Sequence, residues 1–248
     1  MVVRQPKLRW PVPPDLARQL VGSRIVHIRR RAKYLLFEFA HGVMLLHLGM
    51  SGSLRVYPDG SAPPPEKHDH FDIVTDDQTV LRLRDPRRFG AVLWFAGPAE
   101  QHPLLQHLGP EPLQDEFTAG YLKTAFSRRK SAVKTALMDN KIVVGVGNIY
   151  ANEALFAAGI LPTRRADRVS AEECRRLVAE IRSVLQRALK AGGSSLRDFL
   201  HSDGQSGYFQ QQYQVYGREG EPCHQCGTPI ARQTIGQRSS FYCPQCQR

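Results

Sequence analysis

The chain has 248 residues, 42% hydrophobic, 23% charged and 8% aromatic, with 20 Gly and 17 Pro, enough to bury a core without disulfides and unlike a disordered or collagen-like chain. No run reaches the roughly 20 apolar residues of a membrane-spanning helix and Met1–Lys7 lacks the apolar stretch of a signal peptide, so a cytosolic protein with no membrane partner is expected. Lys and Arg number 34 against 23 Asp and Glu, a net +11, and nine of those cations with a single acid, Asp15, fall in residues 1–34; a polyanion such as RNA or DNA is the leading partner, with an anionic membrane or mere solubility as the alternatives.

Short or alternating apolar runs at 24–28, 34–39, 43–48, 54–57, 71–75, 80–83 and 91–95 predict strands. His41-Gly42 and Thr75-Asp76-Asp77-Gln78 lie between such runs as turns, which predicts antiparallel hairpins and therefore a sandwich or barrel over residues 1–96. Pro98, Pro103, Pro110 and Pro112 mark residues 97–112 as a linker. Helices follow over 113–213: one across Ser131–Met138, one from Asn148 to about Ala158, and one opened by the capping box Ser170-Ala171-Glu172-Glu173 and stopped at Gly192-Gly193. Residues 214–248 form a cysteine module. The fold class is α+β.

That module holds Cys223-His224-Gln225-Cys226 and Cys243-Pro244-Gln245-Cys246, separated by sixteen residues, the spacing of a zinc ribbon. Four thiolates complete a tetrahedral shell and leave no position for water, so one structural Zn²⁺ is expected; disulfides are the competing reading, which a cytosolic chain disfavours. Cys174 falls within a helical pattern as a small apolar residue. Arg232, Gln237, Arg238 and Phe241 lie between the knuckles, where guanidinium groups could meet phosphate or simply be solvated.

In Val143–Tyr150, Gly145 and Gly147 free the backbone ahead of a helix that Asn148 is placed to cap, and exposed amides at a helix start bind phosphate. Arg128, Arg129, Lys130 and Lys134 add positive charge just upstream, although a glycine turn with no ligand is common. Two further turns, His47-Leu48-Gly49-Met50-Ser51-Gly52 and Asp85-Pro86-Arg87-Arg88-Phe89-Gly90, carry Met50 and Phe89, which are either core residues or wedges for a base stack.

Taken with Arg30–Leu36 and Lys67-His68-Asp69-His70, these motifs in this order resemble formamidopyrimidine-DNA glycosylase across essentially the whole chain. The resemblance implies a β-sandwich, a helix-two-turn-helix domain and a zinc finger, acting as a monomer on damaged double-stranded DNA. It implies excision of 8-oxoguanine and formamidopyrimidines by base flipping, followed by β- and δ-elimination. Lys33 would supply the proton in β-elimination and Arg238 would serve δ-elimination. Met50, Arg87 and Phe89 would be the intercalating trio, His68, Arg87 and Arg129 DNA-binding positions, Asn148 a phosphate contact, and Ser202–Tyr208 the loop over the flipped base.

One departure stands out. The family begins with Pro-Glu, nucleophile and acid/base, whereas Met1 here is followed by Val2-Val3-Arg4, and Lys7–Val12 matches a segment some thirty residues into a typical member. The expectation is a misassigned start or a truncation that removes the first strand, the first helix and both leading residues. The alternative is an inactive protein that binds lesions or abasic sites without cutting. A zinc-ribbon RNA-binding factor, the reading from charge and ribbon alone, leaves the two wedge loops without a role.

Overall fold

The computed structural model describes residues 1–192 and 212–248, which fall into two compact units, 1–106 and 107–192 with 212–248. The predicted Ser202–Tyr208 loop lies outside the described residues.

In the first unit the chain runs β1 (Val2–Val3), α1 (Leu16–Leu20), β2 (His27–Arg31), β3 (Tyr34–Phe39), β4 (Gly42–His47), β5 (Ser53–Tyr57), β6 (Asp69–Val74), β7 (Val80–Arg84) and β8 (Ala91–Phe95). Two four-stranded antiparallel sheets result, ordered β1-β6-β7-β5 and β2-β3-β4-β8. Their apolar faces meet: Phe37, Met44, Leu46 and Val92 from one pack with Phe71, Ile73 and Leu83 from the other, and Leu16 and Leu20 of α1, one helical turn apart, close the same core. This is the expected sandwich. Arg82 is buried in the first sheet, where it donates to both oxygens of Asp72, and Arg4 adds a 2.6 Å bond to the same carboxylate.

Most predicted strands form within one or two residues of their expected bounds, and two elements depart further. The strand predicted at 24–28 forms at His27–Arg31, because the two-residue turn Ala32-Lys33 sets the register with β3, and as an edge strand it leaves Ile28 exposed, as is Val26 just before it. The five-residue α1 has no counterpart among the predicted elements; it follows Pro11-Val12-Pro13-Pro14 and is too short to show a helical period.

The second unit contains α2 (Ala119–Phe126), α3 (Val133–Leu137), α4 (Asn148–Ala157), α5 (Ala171–Lys190) and the hairpin β9 (Ala231–Ile235) with β10 (Arg238–Tyr242). The Ser170 capping box forms as predicted, and Leu177, Val178, Ile181, Val184 and Ala188 of α5 pack with Leu122, Phe126, Leu137 and Leu155. Helix α3 is shorter than the expected 131–138, since Ala132 is extended and bridges Arg165.

Candidate nucleic-acid interface and metal centre

In the first unit, Ala32 and Lys33 make the turn closed by the Arg31–Tyr34 pair. Ala32 has φ of 52°, a left-handed conformation that costs an L residue energy but that this turn type requires. Lys33 is thereby held at the exposed tip of a paired ribbon. Across the next strand pair, Tyr34 faces His47, their rings 5.0 Å apart. Burial lowers the His47 pKa, with the charges of Arg9 and Lys33 adding to the effect and Asp85 opposing it. The neutral ring fits its contact: Nδ1 accepts the Gly49 N–H at 2.9 Å, at the start of the Met50 loop.

Met50 and Phe89 are 60% and 43% exposed, on loops that abut backbone to backbone. A Cβ on Gly49, whose φ is 69°, would lie 2.5 Å from the Phe89 carbonyl carbon, so only glycine permits the approach. The Arg87 guanidinium stacks 4.9 Å from the Phe89 ring centroid. The structure therefore brings Met50, Arg87 and Phe89 together and places neither apolar residue in the core. His68 is half-buried, its ring edge-on to that of His70 at 6.3 Å.

In the second unit the expected cap is corrected. Gly147 is the N-cap of α4 and Asn148 is its first helical residue, with no side-chain cap. Asn148 Nδ2 instead donates to the Ser239 carbonyl at 3.1 Å. The same carbonyl accepts from Lys134 Nζ at 2.8 Å, and Nζ also donates to Ser240 Oγ at 2.7 Å. Lys134 is 1% exposed, and burial together with nearby Arg238 pushes its pKa down to about 8. These bonds fasten the β9–β10 hairpin to α3 and α4. Its turn, Gly236-Gln237, has φ of 55° and 62°, as a two-residue type I′ turn demands, and Arg238 emerges exposed directly after it. Arg129, paired to Asp139 at 2.8 Å, and Arg238 line one groove of about 360 Å³ with Lys134, Thr135 and Gly236. Of Arg232, Gln237, Arg238 and Phe241, which the sequence places together between the knuckles as a surface for phosphate, Phe241 is not displayed: it is buried, its ring 5.2 Å from that of Tyr216, because its place in the ribbon faces the finger's core. Arg232 is paired with Glu219.

The Sγ atoms of Cys223, Cys226, Cys243 and Cys246 all lie within 4.8 Å of one another, with 3.4 Å between Cys226 and both Cys243 and Cys246 and 3.9 Å between Cys223 and Cys246. Four sulfurs about 2.3 Å from a central Zn²⁺ would sit about 3.8 Å apart, so the residues fit the metal. Backbone N–H groups of Gln225 and Cys246 point at Cys223 and Cys243 sulfur, 3.4 Å away in each case, as outer bonds that favour thiolates. Bound there, zinc supplies cross-linking and no open coordination position. A second support comes from α4. Buried Glu153 accepts the N–H groups of Gln214, Val215 and Tyr216 at 2.8, 3.0 and 2.9 Å, and Asn152 Oδ1 accepts that of Phe241 at 2.8 Å. Sequence reasoning assigns no role to Lys134 as an anchor, to Asn152 and Glu153, or to Asp85. For Lys134 the available signal is one cation inside the apolar run Ala132-Val133-Lys134-Thr135-Ala136-Leu137.

Three family models match in sequence order: formamidopyrimidine-DNA glycosylase N-terminal domain over residues 1–92, its H2TH domain over 108–200, and the zinc finger found in FPG and IleRS over 220–248. The formamidopyrimidine-DNA glycosylase of Neisseria meningitidis is 56% identical over 250 residues, spanning 100% of this chain and 91% of that protein. Crystalline MutM (Fpg) of Thermus thermophilus matches with a TM-score of 0.80 at 39% identity, covering 91% of this chain and 84% of its own. A Lactococcus lactis Fpg variant, solved in complex with a Fapy-dG-containing DNA, matches at 0.83 and 32% identity over 94% of this chain and 86% of its own. By identity along its whole length, and with both folded units and the metal-binding ribbon accounted for, the chain belongs to the formamidopyrimidine-DNA glycosylase family.

Proposed function

We propose that this protein removes oxidised purines, 8-oxoguanine and formamidopyrimidines, from duplex DNA by extruding the damaged nucleotide, and then cuts the abasic strand by β- and δ-elimination. The observation that carries the reading is the pair of abutting loops that hold Met50 and Phe89 in solvent with Arg87 stacked on the latter. A base cannot be reached inside the stack, and apolar side chains that occupy the vacated space keep it extruded. The L. lactis relative's complex with Fapy-dG DNA supports the same substrate class.

Lys33, at its hairpin tip and near enough for its charge to act on His47, moves the proton of β-elimination. Attack at C1′ by an amine, which the family supplies from its leading proline, breaks the glycosidic bond and expels the damaged base, and the iminium that follows sugar-ring opening acidifies the C2′ proton. Arg238 stabilises the phosphate leaving group of the second elimination. His68, Arg129 and Asn148 grip backbone phosphates, while zinc keeps the ribbon that presents Arg238 in shape. The protein works as a monomer on the DNA of the cytoplasm; among the described residues no helix is long and apolar enough to cross a membrane.

Incubation of the zinc-loaded protein, carrying the family's leading Pro-Glu segment ahead of Val2, with an 8-oxoguanine duplex and borohydride tests this. Base release, strand scission and a covalent adduct are expected, with none on undamaged duplex. Lys33→Ala should lower scission by about 10²-fold or more while lesion binding persists. Failure to release base from either an 8-oxoguanine or a formamidopyrimidine duplex overturns the reading.

A further inference from the structure

We propose that Asp85 is a positioning residue for the wedge: its buried carboxylate bridges the Met50 loop to the Arg87–Phe89 loop, so that the two apolar tips enter the base stack as one unit. The inference rests on the reading of these loops as the DNA wedge.

Asp85 directly follows β7 and is 0% exposed. Its Oδ2 accepts the N–H of Gly90, the residue after Phe89, at 2.6 Å. Its Oδ1 accepts the hydroxyl of Ser51, the residue after Met50, at 3.1 Å. Each carboxylate oxygen thus holds a different loop, one residue beyond the exposed side chain. The Asp85 backbone is fixed as well: its N–H donates to the His68 carbonyl at 3.0 Å, and its carbonyl accepts from His70 Nε2 at 2.9 Å and from the Arg88 N–H at 3.2 Å.

There is no slack between the loops. A Cβ on Gly90 would sit 2.9 Å from Asp85 Oδ2 and one on Gly49 2.5 Å from the Phe89 carbonyl carbon. A charged acceptor with donors on both oxygens, shielded from water, forms shorter and stronger bonds than a neutral one, so the bridge resists the shear of insertion into stacked bases. Asp85 is fully buried, so its influence on DNA passes through Met50 and Phe89. An apolar residue at position 85 would leave the buried Gly90 N–H without an acceptor and the half-buried Ser51 hydroxyl without its bridge to the second loop.

The test uses full-length zinc-loaded protein and duplexes with 2-aminopurine beside an 8-oxoguanine, whose fluorescence rises on unstacking. Asp85→Ala removes both acceptors at once. It should slow unstacking by about tenfold or more, while affinity for undamaged duplex, set by phosphate contacts, stays within about twofold. Ser51→Ala, which removes only the Oδ1 bond, should slow it by about threefold, and the double variant should be no slower than Asp85→Ala alone, because both act through one bridge. Asp85→Asn, whose Oδ1 can still accept from Gly90 while its Nδ2 donates to the Ser51 hydroxyl, should stay closer to the parent than Asp85→Ala. An Asp85→Ala protein that melts like the parent and unstacks at the parental rate overturns the inference, as does loss of undamaged-duplex affinity by the same factor as unstacking. If Asp85→Ala melts early, parental unstacking by Ser51→Ala overturns it instead. An absent signal from the unsubstituted protein removes the wedge reading itself, an outcome distinct from a signal that Asp85→Ala preserves.

Discussion

The two units present Lys33 and Arg238, the side chains proposed to act on DNA, at tight turns, yet stabilise those turns by different means. Lys33 rides on a two-residue turn with one left-handed residue, Ala32, and Arg238 follows a two-residue turn with two, Gly236 and Gln237. Behind Lys33 stands a sheet whose strands Tyr34–Phe39 and Gly42–His47 bury Leu36, Phe37, Met44 and Leu46. Behind Arg238 stands a two-stranded ribbon with a small core of Phe156, Val215, Ile230 and Phe241. A two-stranded ribbon is marginal in water by itself. The difference teaches that the sandwich positions its loops by apolar burial and one carboxylate, whereas the finger depends on metal and on polar anchors from α3 and α4.

Removal of the metal should therefore break the comparison most severely. Structural zinc contributes about 10–16 kcal/mol of binding energy that doubles as folding energy in small modules. Chelation, or Cys243→Ser, should unfold the ribbon and reduce affinity for duplex DNA by about 100-fold or more, since Arg238 loses its frame. Calorimetry should show the sandwich transition unmoved. Retention of DNA affinity by the metal-free protein would mean that α3 and α4 alone hold the hairpin.

Those anchors are the next largest effect. Glu153→Ala leaves the N–H groups of Gln214, Val215 and Tyr216 without their acceptor, at a cost of about 3 kcal/mol or more. The second unit should melt earlier and the ribbon exchange its amide hydrogens faster. In the first unit the counterpart is Gly49→Ala. A side chain there meets both the left-handed φ of 69° and the Phe89 backbone at 2.5 Å, so a loss of about 2 kcal/mol is expected, with displacement of Met50. Thermal melts together with 2-aminopurine unstacking check it; a variant unchanged in both would show that the loops have room to separate.

The legible parts of the molecule are those whose signals are local. The short apolar runs at Tyr34–Phe39 and Val43–Leu48, the Ser170–Glu173 capping box and the paired Cys-X-X-Cys knuckles each lie within a few residues, and each forms, the second strand one residue earlier at Gly42–His47. What escapes is long-range. Lys134 meets Ser239 and Ser240 across 105 and 106 positions, Glu153 meets Gln214 across 61, and Asp85 meets Ser51 across 34. No periodicity encodes such pairings, and a polar residue in an apolar run signals only that some partner exists. Asn148 sits at a helix start as expected but one position further in, because Gly147, extended at φ of −85°, takes the cap and frees the asparagine side chain to reach the ribbon. Phe241 defeats the sequence pattern because alternation says which residues share a face, not which face is inside.

The smallest expected effect separates the units by pH. His47 has its pKa lowered from 6.5 in the folded state by burial, with Arg9 and Lys33 adding to it, so the unfolded chain binds the proton more readily. The stability that neutral His47 contributes is therefore complete above its unfolded value of 6.5 and diminishes as pH falls through the lower folded one. Protonation also occupies Nδ1, the atom that accepts the Gly49 N–H, and so releases the base of the Met50 loop. Acidification below that value should weaken 2-aminopurine unstacking before it weakens attachment to undamaged duplex, which depends on permanently charged arginines. His47→Gln, which cannot titrate, should flatten the pH profile of unstacking. A profile equally steep in that variant would move the titration to another group and leave the Met50 loop held by Asp85 alone.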